Sequence, residues 1–284
     1  MSENPLKGYF RQPKIYISLP SQTKYYPPGS IESTETGEFP VYPMTATDEI
    51  ALKTPDALLN GQSTVDVIQS CIPNIKNAWH MPNLDLDAIL IAIRIATYGE
   101  MMELETKVPN VDEERTYEVD LRQILDSLNA NHFEEIVQVD NLIVHLRPMT
   151  YREFTKNALK TFEEQRIFSL INNEDMPEEE KISRFNQSFK KLTALTVGMI
   201  SDSIAAIEID GQTVTDSQHI KEFLENADKK FYNEIVKHIE SQKEKFSIKP
   251  LTINSEPEDI EKGAPESYEV PIIFDQSNFF AQGS

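Results

Sequence analysis

The side chains best suited to chemistry in this chain are scattered. Its five histidines, His80, His132, His145, His219 and His238, include no pair at i,i+3 or i,i+4. Those are the spacings that put two imidazoles on one helix face to grip a metal ion. Cys71 stands alone, so neither an intrachain disulfide nor a cysteine-rich zinc cage can form. Paired with His80 it could serve as a thiol nucleophile. Beside Val67 and Ile68 on one helical face, however, it reads as a small buried hydrophobe in surroundings that do not favour a thiolate. The nine glycines lie singly and make neither Gly-x-Gly-x-x-Gly nor Gly-Lys-Ser/Thr, which leaves no backbone cradle for phosphate. A Gly-x-Ser-x-Gly elbow is also missing. Asp85 and Asp87 precede the apolar run Ala88–Ala96, where negative charge complements the positive end of a helix. They read as capping charges, not as a general acid and base. A metal-dependent hydrolase built from scattered carboxylates is the least favoured reading. No catalytic, cofactor-binding or metal-binding residue is assigned, and no cofactor is expected.

Charge narrows the partners. With 47 acidic against 27 basic residues the formal net charge is −20 and the sequence pI about 4.7. A phosphate-binding surface needs clustered Lys and Arg, so nucleic acid is disfavoured, and anionic membrane for the same reason. An acidic surface steers instead toward basic partners. At 284 residues the chain can bury one large core or two ordinary ones. Met1–Phe10 has no apolar stretch of signal-peptide length, and the most apolar window, Leu86–Ala96, is far too short to span a bilayer. These features predict a soluble chain made in the cytoplasm.

The elements that must position these residues are well punctuated. Residues 1–45 are rich in Pro, Tyr, Ser and Gly and read as an extended arm. Ile15–Leu19 alternates like a strand, Pro27-Pro28-Gly29 is a turn, and Phe39–Tyr42 can pair back. Three helices follow, over Asp48–Leu59, Ser63–Ile72 and Asp85–Tyr98. Capping-box spacing marks helix starts at Thr45/Asp48, Thr150/Glu153 and Thr215/Gln218. From Thr150, Phe154, Ala158 and Phe162 trace one stripe, continued one step off by Ile167, Leu170 and Ile171. A second long helix runs from Pro177 to about Ser203, with Ile182, Phe185, Phe189, Leu192, Leu195 and Met199 at spacings of three and four. These stripes predict core, not a cofactor box. Hairpins are expected at Ile136–Val139 with Leu142–Leu146, and at Ala206–Ile209 with Gln212–Val214 across Asp210-Gly211. His145, out of phase with Leu142, Val144 and Leu146, is expected to face solvent. Two further helices cover Ser217–Asn226 and Lys229–Lys245. Met102–Val108 with Thr116–Asp120, and Phe246–Ile253 with Ser267–Val270, share a Tyr-Glu-Val on the return strand and suggest two similar hairpins.

The fold class is therefore α+β, mainly helical with short antiparallel β-hairpins. Four units are expected: the arm 1–45, a helical domain with a hairpin appendage at 46–129, a central α+β domain at 130–245, and a C-terminal hairpin and tail at 246–284. Near the end, Phe274, Phe279 and Phe280 are apolar where a chain end is usually polar, and they ask for a burial site on this chain or on a neighbour.

The order of segments in the first hundred residues carries a resemblance. Leu19-Pro20-Ser21, Tyr25-Tyr26-Pro27 and Tyr42-Pro43-Met44-Thr45-Ala46 lead into three short helices closing on Arg94-Ile95-Ala96-Thr97-Tyr98-Gly99. Arg147-Pro148-Met149-Thr150-Tyr151 and Phe274–Phe280 extend it more loosely. This succession resembles the baseplate hub subunits of T-even-type contractile-tailed phages. The family often carries cysteine pairs in its hairpin loops; Pro109–Arg115 and Asn254–Ser267 carry none, which removes any zinc expectation. The likeness implies a non-enzymatic tail protein that contacts other tail and hub proteins, built in the host cytoplasm and retained in the virion. The alternative it implies is an assembly chaperone of the tape-measure protein, absent from mature particles. Tyr25, Tyr26, Phe274, Phe279 and Phe280 are the expected partner-binding residues.

Overall fold

The computed structural model describes residues 5–52, 61–173 and 177–272. It is a mixed α+β fold, mainly helical, with small antiparallel sheets.

The first core forms around the most apolar helix. A β-hairpin, β1 (Ile15–Ile17) and β2 (Phe39–Val41), folds back from the arm and pairs Ile17 with Phe39. Short α1 (Ala46–Leu52) and α2 (Gln62–Cys71) pack together, and α3 (Leu86–Tyr98) runs through the middle with every residue from Ala88 to Ala96 buried. Hairpin β3 (Met101–Lys107) and β4 (Glu114–Asp120) and helix α4 (Leu121–Asn129) close this core. Cys71 is fully buried in it, and burial, reinforced by the charge of Asp48, pushes its thiol up to about 12.

The second core rests on one sheet ordered β5 (Ile136–Val139), β6 (Leu142–Leu146), β7 (Ile204–Ile209), β8 (Gln212–Val214), antiparallel throughout. Asp210 and Gly211 both have φ > 0, as the tight β7–β8 turn requires. Helices α7 (Ser217–Asn226) and α8 (Lys229–Lys245) cover the sheet with Ile220, Leu224, Phe231 and Ile235. His145 is partly exposed, as its phase predicts, and faces Glu208 on the neighbouring strand at 2.8 Å. Between the adjacent strands β6 and β7 the chain makes a long excursion, α5 (Tyr151–Asn173) and α6 (Glu178–Asp202), packed as an antiparallel pair. The sheet closes without them.

A third, small core joins the two appendages. Strands β9 (Leu251–Asn254) and β10 (Ser267–Val270) flank short α9 (Pro257–Glu261) and meet the β3–β4 hairpin through Val108, Ala264, Tyr268 and Val270. The two Tyr-Glu-Val segments occupy matching places. Tyr117 pairs across with Leu104 and Tyr268 with Ile253, and their hydroxyls hydrogen-bond at 2.8 Å. Loop to loop, Arg115 grips Asp259 through two bonds of 2.9 and 3.2 Å, while Lys262 reaches Glu113. The hydrogen bonds to Arg115 hold the Asp259 carboxyl below the ordinary carboxylate range. Packing and ion pairs hold these hairpins together.

Two local expectations are corrected. Phe246 is not in a strand; it caps α8 and is buried. Helix α7 is capped by Asp216, which accepts from the amides of Gln218 and His219, so the box starting at Thr215 is one residue out. The boxes at Thr45/Asp48 and Thr150/Glu153 close reciprocally, each amide reaching the partner side chain at 2.8 and 3.2 Å.

Candidate interaction surfaces

The arm is fastened by a buried acid. Asp85 was expected to complement the start of α3, yet it makes no capping bond there. It accepts instead from the Ser21 amide at 2.7 Å, the Ser21 hydroxyl at 2.6 Å and the Tyr26 hydroxyl at 3.1 Å. A carboxylate with no solvent must be satisfied from the protein, and Leu19-Pro20-Ser21 delivers the donors. Burial still outweighs these bonds and raises the Asp85 carboxyl to about 6. Burial and the Asp85 charge push the Tyr26 hydroxyl well above its ordinary value. Neighbouring Tyr25 points to the other core: its hydroxyl donates to Glu135 at 2.6 Å and its ring meets Phe133 edge-on. Both tyrosines thus engage residues of their own chain. Phe274, Phe279 and Phe280 lie outside the described residues.

The helical excursion is rooted at both ends. The Tyr151 amide donates to the Met81 carbonyl at 2.8 Å, and the Tyr151 ring stacks on Trp79. Gly61, at φ +78, lets this corner close, since a Cβ there would stand 3.1 to 3.2 Å from Tyr151, Thr155 and Trp79. Arg147 forks onto Glu153 at 2.8 and 3.0 Å beside the α5 cap. The far end of α6 runs into β7 through Ile200 and Ser203. Root to root, the excursion ties the first core to the second.

Its apolar stripes are not core, contrary to expectation. Phe162 is 57% exposed, Ile182 56% and Phe189 58%, with Phe154 and Phe185 also open to solvent. Only Ser188, Ile200 and Ser201 of α6 are buried. Ser188 donates to Glu164 at 2.9 Å, and Lys191 pairs with the same carboxylate, so a polar clasp occupies part of the seam. The physical reason is topological. Each helix of a two-helix excursion has one long neighbour, and one neighbour cannot cover a wide apolar face. Basic side chains nearly balance acidic ones along residues 151–202, while the chain as a whole carries −20.

At the foot of the excursion lies a groove of about 680 Å³ between α5, the end of α8 and the turn before α3. Phe133, Met149, Phe154, Phe162, Met199 and Phe246 make it largely apolar. Asn83 lines one wall, and its shielded Oδ1 has no hydrogen-bond partner. Asp87, its carboxyl raised by burial, and Lys243 also line the groove. Sequence reasoning missed this groove because its walls come from segments far apart in the chain, Asn83, Phe133, Phe154 and Phe246 among them. Among the described residues no group of three His, Cys, Asp or Glu is placed to hold a metal ion.

A family model described as T4 bacteriophage base plate protein matches residues 30–260. The chain belongs to this family. The match begins in the arm and ends in α9, so it takes in most of the first core, the second core and the whole excursion of this baseplate protein. No curated protein and no solved structure matches it. No described helix of the baseplate protein is long and apolar enough to cross a membrane.

Proposed function

We propose that this baseplate protein is a hub subunit that acts without catalysis, through contacts with other tail proteins, and stays in the virion after assembly in the host cytoplasm. The observation that carries the reading is the exposure of Ile182 and Phe189, both more than half open to solvent on one face of α6. Contiguous apolar surface on an excursion rooted in two cores is a docking face, and its near-neutral charge lowers repulsion from other acidic subunits. The four units expected from the sequence belong to the same proposal, with 1–45 and 246–284 as the parts that reach neighbours. Tyr25 and Tyr26 then act by setting the arm's path, from which a neighbour reads the exposed face.

Mass spectrometry of purified particles beside infected-cell lysate tests this. A hub subunit appears in particles at fixed copy number, and a Phe185→Ser/Phe189→Ser variant is present in lysate but lost from particles. A second reading, a chaperone of the tape-measure protein, draws support from the −20 charge, which suits a basic helical client. It predicts the opposite distribution, with the protein in lysate and none in particles.

A further inference from the structure

The groove at the foot of the excursion holds one carboxylate, Asp87, that no donor among the described residues reaches. We propose that the groove is the docking site of a basic amphipathic helix from another protein, its apolar face laid along α5 and a Lys or Arg brought to Asp87.

Three observations carry this. The first is Asp87 itself, half-buried in the first turn of α3. Neither a hydrogen-bond donor nor a cation of the described chain meets its carboxylate. The positive helix end favours the charge, yet burial prevails and raises the carboxyl. A partly desolvated carboxylate without a partner is costly, and a cation brought beside it restores the charged form. The 3₁₀ turn Asn83–Asp85 leads into the same helix, and there the shielded Oδ1 of Asn83 is a second acceptor without a donor.

The second observation is shape. Phe154, Asn157, Ala158, Thr161, Phe162 and Gln165 line the groove at helical spacing, so one wall is a single face of α5 about 16 Å long. A helix seats its side chains between ridges of that spacing. An extended strand, with period two, does not follow them. Helix α5 packs on one long neighbour, α6, and a docked helix supplies a second.

The third is charge. Of the two basic residues lining the groove, Arg147 is already paired with Glu153. Lys243 carries its charge on a long stem that reaches water; the short Asp87 side chain has no such reach. With −20 on the whole chain, a basic helix is attracted at long range and an acidic one repelled. The site is separate from the exposed face of α6 on which the hub reading stands. Its test needs no phage particle, so the two fail independently.

The probe is a displayed library of amphipathic helices, with apolar positions fixed at helical spacing and polar positions random, selected on the full chain. Retained peptides are expected to carry Lys or Arg beside the apolar stripe. Two variants locate them. Ala158→Trp fills the groove from an exposed position and should abolish binding. Asp87→Asn removes the charge at constant size and should weaken a lysine-bearing peptide about tenfold or more. The same peptide with that lysine replaced by glutamine should bind wild type more weakly and lose nothing further on Asp87→Asn. Circular dichroism like that of wild type shows that both variants fold. A library from which nothing is retained, or peptides that bind Ala158→Trp as well as wild type, would overturn the proposal. So would acidic peptides that depend on Lys243, or a wild-type dimer in sedimentation that Ala158→Trp abolishes, which gives the groove to a second copy.

Discussion

Helices α3 and α6 both carry apolar residues at helical spacing, and they have opposite fates. In α3 nine consecutive residues are buried, enclosed by the arm hairpin, α2, α4 and β3. In α6, nearly twice as long, three residues are buried and the aromatics face solvent. Periodicity states that a helix has an apolar face; the number of neighbours decides whether anything covers it. Fully burying such a side chain contributes about 1.5–3 kcal/mol. For Phe189, 58% exposed, more than half of that gain waits for a partner.

The contrast can be broken most forcefully at the centre of α3. Ile91 is fully buried, and Ile91→Ala should cost roughly 2–5 kcal/mol in urea unfolding. An outcome near zero would mean that α3 is no better enclosed than α6. Next in size is the arm's anchor. Asp85→Ala strands the Ser21 and Tyr26 donors and should cost about 1–3 kcal/mol.

The same carboxyl sharpens the comparison through pH. Folded Asp85 titrates near 6, above its unfolded value near 4, so between those values the native state holds the extra proton. Stability from this group is fully present below about pH 4 and is lost as pH rises through about 6. Asp85→Asn should flatten that slope, shifting the wild-type-minus-variant difference by up to about 3 kcal/mol across the window. Asp259 is held low by Arg115 and works in the opposite direction at lower pH, but it is common to both proteins and cancels.

At the root of the excursion, Gly61→Ala meets both a positive φ and close contacts with Tyr151, Thr155 and Trp79. It should cost about 1–2 kcal/mol, read as a lowered urea midpoint. The smallest effect on stability belongs to α6 itself. Phe189→Ser should cost only about 0.5–1 kcal/mol, the share of the ring already covered, yet reduce recovery in particles. If it unfolds the protein instead, the stripe is core after all and the contrast with α3 disappears.

Much of the fold was legible because its signals are local. The reciprocal boxes at Thr45/Asp48 and Thr150/Glu153 need only residues three apart. Helices α7 and α8 and the Asp210-Gly211 turn lie where composition and spacing put them. The Tyr-Glu-Val likeness pointed to paired hairpins, though not to the bond between Tyr117 and Tyr268 that joins them. Where reading failed, two local options were equal and a distant residue chose between them. Asp85 suits a helix start on charge alone, but Ser21 and Tyr26, some sixty residues away, recruit it into the core. Phe246 alternates plausibly with its neighbours, but α8 continues to it and the groove wall takes its ring.

From its sequence alone this baseplate protein was bound to be an acidic α+β chain with well-capped helices. Those properties depend on composition and on spacings of a few residues. Only the tertiary structure decided which apolar stripes became core. An insertion between β6 and β7 gives α5 and α6 one long neighbour each, and the area left uncovered is set by that topology rather than by the stripes themselves.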